Sequence, residues 1–101
     1  MKSYAKGARV EREMVKKFQD AGIEAERVPL SGAAGGSYKG DLVIKGQYRA
    51  EVKSRKGGAG FAMIDRWLSD MDVLIVKRDR QEPMVVLPFD AYAELIAEKV
   101  P

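Results

Sequence analysis

Apolar residues near the start of the chain recur at helical spacing. Val10, Met14, Phe18 and Ala21 fall on one stripe at about 100° per residue, opposite the polar positions Arg9, Arg12, Lys16 and Gln19. This pattern predicts a helix over about 7–21, closed by Gly22 as its C-cap. A short strand is expected over 24–28, stopped by Pro29, before a loop, SGAAGGSYKG, that holds four glycines in residues 31–40. GDLVIKGQYRAEVK, residues 40–53, reads as a hairpin, and SRKGGAG as a second glycine-rich loop. Phe61, Ile64, Leu68 and Met71 share a face, which predicts a helix over 61–70. VLIVK at 73–77 is a continuous apolar run of the kind found in buried strands, and RDRQEP turns the chain into a strand at 84–87. A last helix over 89–99 should carry Phe89, Tyr92, Leu95 and Ile96 inward. The order α-β-β-β-α-β-β-α makes the fold class α/β, with a mixed central β-sheet flanked by helices.

Composition narrows the chemistry. The 101 residues suffice for one domain, 1–101, with its own core, and they contain neither cysteine nor histidine. Disulfides, structural zinc, thiol nucleophiles and imidazole bases are therefore excluded. Catalysis would have to use carboxylates, lysines, hydroxyls and a bound ion. No apolar run approaches the roughly 20 residues needed to span a bilayer, and no secretory signal is visible, so no membrane partner and a cytoplasmic location are expected. The net charge of +3 is uneven: residues 1–60 hold 13 Lys/Arg against 7 Asp/Glu, whereas residues 61–101 hold 5 against 8. A basic N-terminal half suits a polyanion such as DNA, although ordinary surface charge accounts for it equally well.

The hairpin raises a sharper question. If Lys45-Gly46-Gln47 forms a three-residue loop, Ile44 pairs with Tyr48 and Asp41 comes opposite Glu51. Lys53 joins them on that face, and Leu42, Ile44, Tyr48, Ala50 and Val52 form the core face. A loop one residue shorter would spoil the pairing. Two carboxylates this close repel one another, and a cation relieves the repulsion. Hard oxygen ligands on a sheet suit Mg²⁺, with Mn²⁺ as a substitute. An edge-strand cluster making cross-strand salt bridges is the competing account. In the first helix Glu11 lies inside the apolar stripe, between Phe18 and Val15. An unpaired carboxylate is costly there. It could complete a metal site, or simply snorkel or pair with a lysine.

The combination KGARVEREMVKKFQDAGIEAERVPLSG, GDLVI and YRAEVKSRKG resembles the archaeal-type Holliday junction resolvases of the PD-(D/E)XK nuclease superfamily, closely over residues 6–56. The resemblance implies a restriction-endonuclease-like core with metal ligands at Asp41, Glu51 and the backbone carbonyl of Val52. It also implies a catalytic Lys53 and an acid at Glu11 that acts directly or through a water. Arg12, Arg27, Ser31 and Arg55 fall where the family places junction-binding or supporting residues. Arg9, Lys16, Lys39 and Lys56 extend the expected DNA-binding set. Gly40 stands where the superfamily name has proline.

Other glycines carry no P-loop, because no G-K-S/T opens a helix after them. Tyr38 and Lys39 suit either contact with DNA or plain exposure. The expected activity is Mg²⁺-dependent resolution of four-way DNA junctions by paired phosphodiester hydrolysis. A homodimer is expected, with Trp67 of the second helix as its anchor, and no small-molecule cofactor. The rivals are a repair or restriction-like duplex nuclease, a non-catalytic DNA-binding module, and a structural subunit.

Overall fold

A computed structural model of the protein describes residues 2–28 and 40–97. Ser31, Gly32, Gly35, Gly36, Tyr38 and Lys39 lie outside the described residues. The elements follow the expected order: α1 (Lys2–Asp20), β1 (Ala25–Arg27), β2 (Leu42–Ile44), β3 (Tyr48–Ala50), α2 (Ala62–Leu68), β4 (Leu74–Val76), β5 (Met84–Val86) and α3 (Phe89–Ile96). They fall into two compact units, one running to Ser54 and rejoined from Ala97, the other spanning Arg55–Ile96.

Helix α1 begins earlier than its apolar stripe suggested, because Lys2–Lys6 contains no proline to prevent it. Two exposed ion pairs at i,i+4 spacing support it, Arg9–Glu13 at 2.7 Å and Lys16–Asp20 at 2.8 Å. Its end is a Schellman motif. Gly22 takes φ +80°, its N–H donates to Gln19 O at 2.9 Å, and Ile23 N–H donates to Phe18 O at 2.9 Å. Phe18 and Ile23, at the two positions where this motif commonly carries apolar residues, are both buried. Ala21, read as part of the stripe, is exposed, since the helix has ended one residue before it.

The first unit's sheet is a three-stranded antiparallel meander, β1-β2-β3, with β2 in the centre. Leu42 pairs with Ala50 and Ile44 with Tyr48, which is the register that a three-residue loop demands. Lys45 and Gly46 both have positive φ, and Gln47 N–H closes the turn on Ile44 O at 3.1 Å. The other flank sets Ala25 against Ile44 and Arg27 against Leu42. The buried core of this unit is Phe18, Ile23, Ala25, Val28, Leu42 and Ile44. Of the expected inner row, Ala50 and Val52 are half-buried and Tyr48 is exposed, because β3 is the sheet's edge.

The second unit departs further from expectation. Helix α2 spans only Ala62–Leu68 and has no buried residue. It starts where Gly58 O accepts both Phe61 N–H and Ala62 N–H. It ends in a turn closed by Met71 N–H on Leu68 O, with Asp70 at φ +63°. The run at 73–77 is not a buried strand: β4 pairs antiparallel with β5, and the opposed Ile75 and Val85 remain 65% and 59% exposed. Met84, opposite Val76, is exposed too, while Leu74, Val76 and Val86 are half-buried. In α3 the buried residue is Ala93, and Leu95 is exposed. Nor is there a mixed central sheet among the described residues. Strands consecutive in the chain pair antiparallel in two separate sheets, and no crossover returns a parallel strand to either.

Candidate active site

Asp41 enters the central strand through a bend. Gly40 takes φ +85°, and a Cβ built on it would meet Ala50 O at 3.0 Å. Proline, locked near φ −65°, cannot adopt that conformation. From the bend Asp41 bonds in three directions. Its N–H donates to Ala50 O at 2.8 Å, its carbonyl accepts Val28 N–H at 2.9 Å, and its carboxylate Oδ2 accepts Val52 N–H at 2.8 Å.

These bonds replace the next rung of the β2–β3 ladder, whose last pair is Leu42 with Ala50. The expected facing of Asp41 and Glu51 takes a particular form: Asp41 grips the residues on either side of Glu51, one with its backbone and one with its side chain. Glu51 and Lys53, two apart along the extended chain, form an ion pair at 3.2 Å, both exposed. Asp41, Glu51 and Lys53 thus gather around one end of the sheet.

Glu11 belongs to a second group. Its Oε1 accepts from Arg27 Nε at 3.1 Å, and the two side chains are only 15% and 26% exposed. Arg27 stands opposite Leu42, so it shares the sheet face that carries the core. The pair ties α1 to β1 and gives the half-buried carboxylate the partner it needs. The sequence left Glu11 a choice between a metal site, snorkelling and a lysine partner; the partner present is an arginine, whose inward place follows from its alternation with buried Ala25. Gln19, read as part of the polar face, donates from Nε2 to Ala25 O at 3.2 Å and adds a second tie to β1.

Among the described residues no three acidic side chains lie close enough to enclose a metal ion. Mg²⁺, however, is commonly held by one or two carboxylates with waters and substrate phosphate. Asp41 commits one oxygen to Val52 and keeps lone pairs free on a carboxylate that can accept about four bonds. Glu51, the other expected ligand, is likewise a hard oxygen donor, the kind that Mg²⁺ and Mn²⁺ take, and one of its oxygens faces Lys53.

The expected DNA-binding residues spread over several elements. Arg9 and Lys16 are exposed on α1 and engaged with Glu13 and Asp20. Arg12 is exposed between them and forms no ion pair among the described residues. Arg55 and Lys56 are exposed where the second unit begins. No described helix is long and apolar enough to cross a membrane.

Comparison with known families makes the protein a nuclease. Residues 2–64, well over half of the chain, match the family described as archaeal Holliday junction resolvase (Hjc), and the chain belongs to that family, whose substrate is the DNA junction. The match takes in Glu11, Arg27, Asp41, Glu51 and Lys53 and stops within α2. No curated protein and no solved structure matches the chain.

Proposed function

We propose that the protein is a Mg²⁺-dependent resolvase that acts as a single restriction-endonuclease-like domain and cuts two strands of a four-way junction by paired hydrolysis. The observation that carries this reading is the hydrogen bond from Val52 N–H to Asp41. It ties the carboxylate to the segment after β3 that bears Glu51 and Lys53.

Asp41 and Glu51, with the Val52 carbonyl as a candidate third ligand, would hold the ion, and Mn²⁺ would substitute. When bound, Mg²⁺ supplies Lewis-acid stabilisation of charge on the phosphate and leaving-group oxygens. Asp41, held at its backbone and side chain, gives that site a fixed wall. Lys53 places an ammonium beside Glu51, where it can bond a phosphate oxygen or orient the attacking water. Arg27 holds Glu11 in position on the helix side. Arg12, Arg55 and Lys56 offer cations to the phosphate backbone, together with Arg9 and Lys16. Two cuts on strands of like polarity call for two sites related by a two-fold axis. The exposed Met63, Trp67 and Met71 on and just after α2 support a homodimer through that helix.

The test is a labelled four-way junction with Mg²⁺, without it, and with Asp41→Asn or Glu51→Gln protein. Paired nicks that need Mg²⁺ and vanish in both variants, while junction binding persists, are expected. Undiminished cutting by either variant would overturn the site. Equal cutting of linear duplex of the same sequence would favour the duplex nuclease instead.

A further inference from the structure

Residues 61–101 carry a negative balance, yet three of their five basic residues, Lys77, Arg78 and Arg80, fall within four positions. Those positions form the turn between β4 and β5, where residues 77–83 are all exposed. Gln81 N–H closes the turn on Arg78 O at 3.0 Å. Arg80 stands in it at φ +64°, in the left-handed region, while Asp79 has no positive φ. That is the pattern of a type II turn, which takes glycine at this place. The chain spends ten glycines elsewhere and keeps an arginine here.

Asp79 and Glu82 share the turn, but none of the three cations forms an ion pair with either of them, nor with any other described residue. Three unengaged cations on a turn held out from a two-stranded ribbon, in the acidic part of the chain, match the demands of a phosphate backbone.

We infer that the β4–β5 turn is a phosphate-binding point for DNA, through Lys77, Arg78 and Arg80. This rests on the resolvase reading and assigns a DNA contact to the part of the chain that the family match leaves out. The chemistry is phosphate neutralisation, so the turn adds affinity and salt dependence without reading base sequence.

The experiment measures junction binding by full-length Glu51→Gln protein, expected to hold DNA without cutting it, across about 50–200 mM salt. Adding Lys77→Gln, Arg78→Gln and Arg80→Gly, the last a glycine suited to positive φ, should make the log–log salt slope shallower by about 2–3 units. A folded triple variant that keeps the parent slope would overturn the inference.

A second variant, Asp79→Asn with Glu82→Gln, keeps all three cations and removes only the local repulsion of phosphate. It should bind several-fold more tightly at the lowest salt, and unchanged affinity would count against the turn even if the triple variant did not fold. Absence of DNA binding by wild-type protein would instead overturn the resolvase reading itself.

Discussion

At the scale of single residues, the ion pairs Arg9–Glu13 and Arg27–Glu11 differ in kind. Arg9–Glu13 is 58% and 59% exposed, whereas Arg27–Glu11 is 26% and 15% exposed. Water screens the first pair, so its coupling in a double-mutant cycle should be about 0.5 kcal/mol or less. The second is partly desolvated, and either partner alone would be left half-buried and unpaired. Its coupling should exceed about 1 kcal/mol, measured by urea unfolding of Glu11→Gln, Arg27→Gln and the double variant. If Glu11 also serves the reaction, Glu11→Gln should cut activity by orders of magnitude under conditions where the protein stays folded. Asp41 separates its two roles in another way. Asp41→Asn keeps an acceptor for Val52 N–H, whereas Asp41→Ala leaves that part-buried donor without one. The alanine variant should therefore be less stable than the asparagine variant by about 1–2 kcal/mol, with neither able to cut.

At the scale of elements, two glycines fix where chain segments turn, and they should respond differently to a methyl group. Gly22 and Gly40 both have positive φ, but a Cβ at Gly22 meets nothing within 4 Å. Gly22→Ala should cost only the backbone penalty, about 1 kcal/mol. At Gly40 the Cβ meets a backbone oxygen at 3.0 Å, which is the oxygen that accepts Asp41 N–H. Relief there requires β2 and β3 to separate. Gly40→Ala should thus cost more stability than Gly22→Ala and also reduce junction cutting, whereas Gly22→Ala should leave cutting intact below its melting temperature.

At the scale of the whole molecule, the prediction concerns assembly. Trp67 is 48% exposed, and Met63 and Met71 lie open beside it in sequence at helical spacing. Exposed Trp and Met are residue types enriched at protein interfaces. Sedimentation at low micromolar concentration should give about twice the monomer mass, and Trp67→Ala should shift the protein towards monomer. A wild-type monomer that still makes paired cuts would defeat the dimer. The salt dependence of junction binding belongs to this scale too. Each of Arg12, Arg55 and Lys56 that meets a phosphate should lower the slope by about one unit when neutralised.

The order of the elements, the C-terminal stop of α1 and the β2–β3 register were all legible in the sequence alone. Each of these depends on residues a few positions apart, through helical or strand periodicity, a glycine, or the length of one turn. Only the tertiary structure decided that Arg27 meets Glu11 across 16 residues and that Asp41 holds Val52 N–H rather than a further rung. Those contacts depend on which segments pack together, and local pattern does not encode that. The same limit accounts for VLIVK, read as a buried strand but half open in a two-stranded ribbon. An apolar run shows that burial is favourable; the neighbours available to cover it decide how much of it is buried.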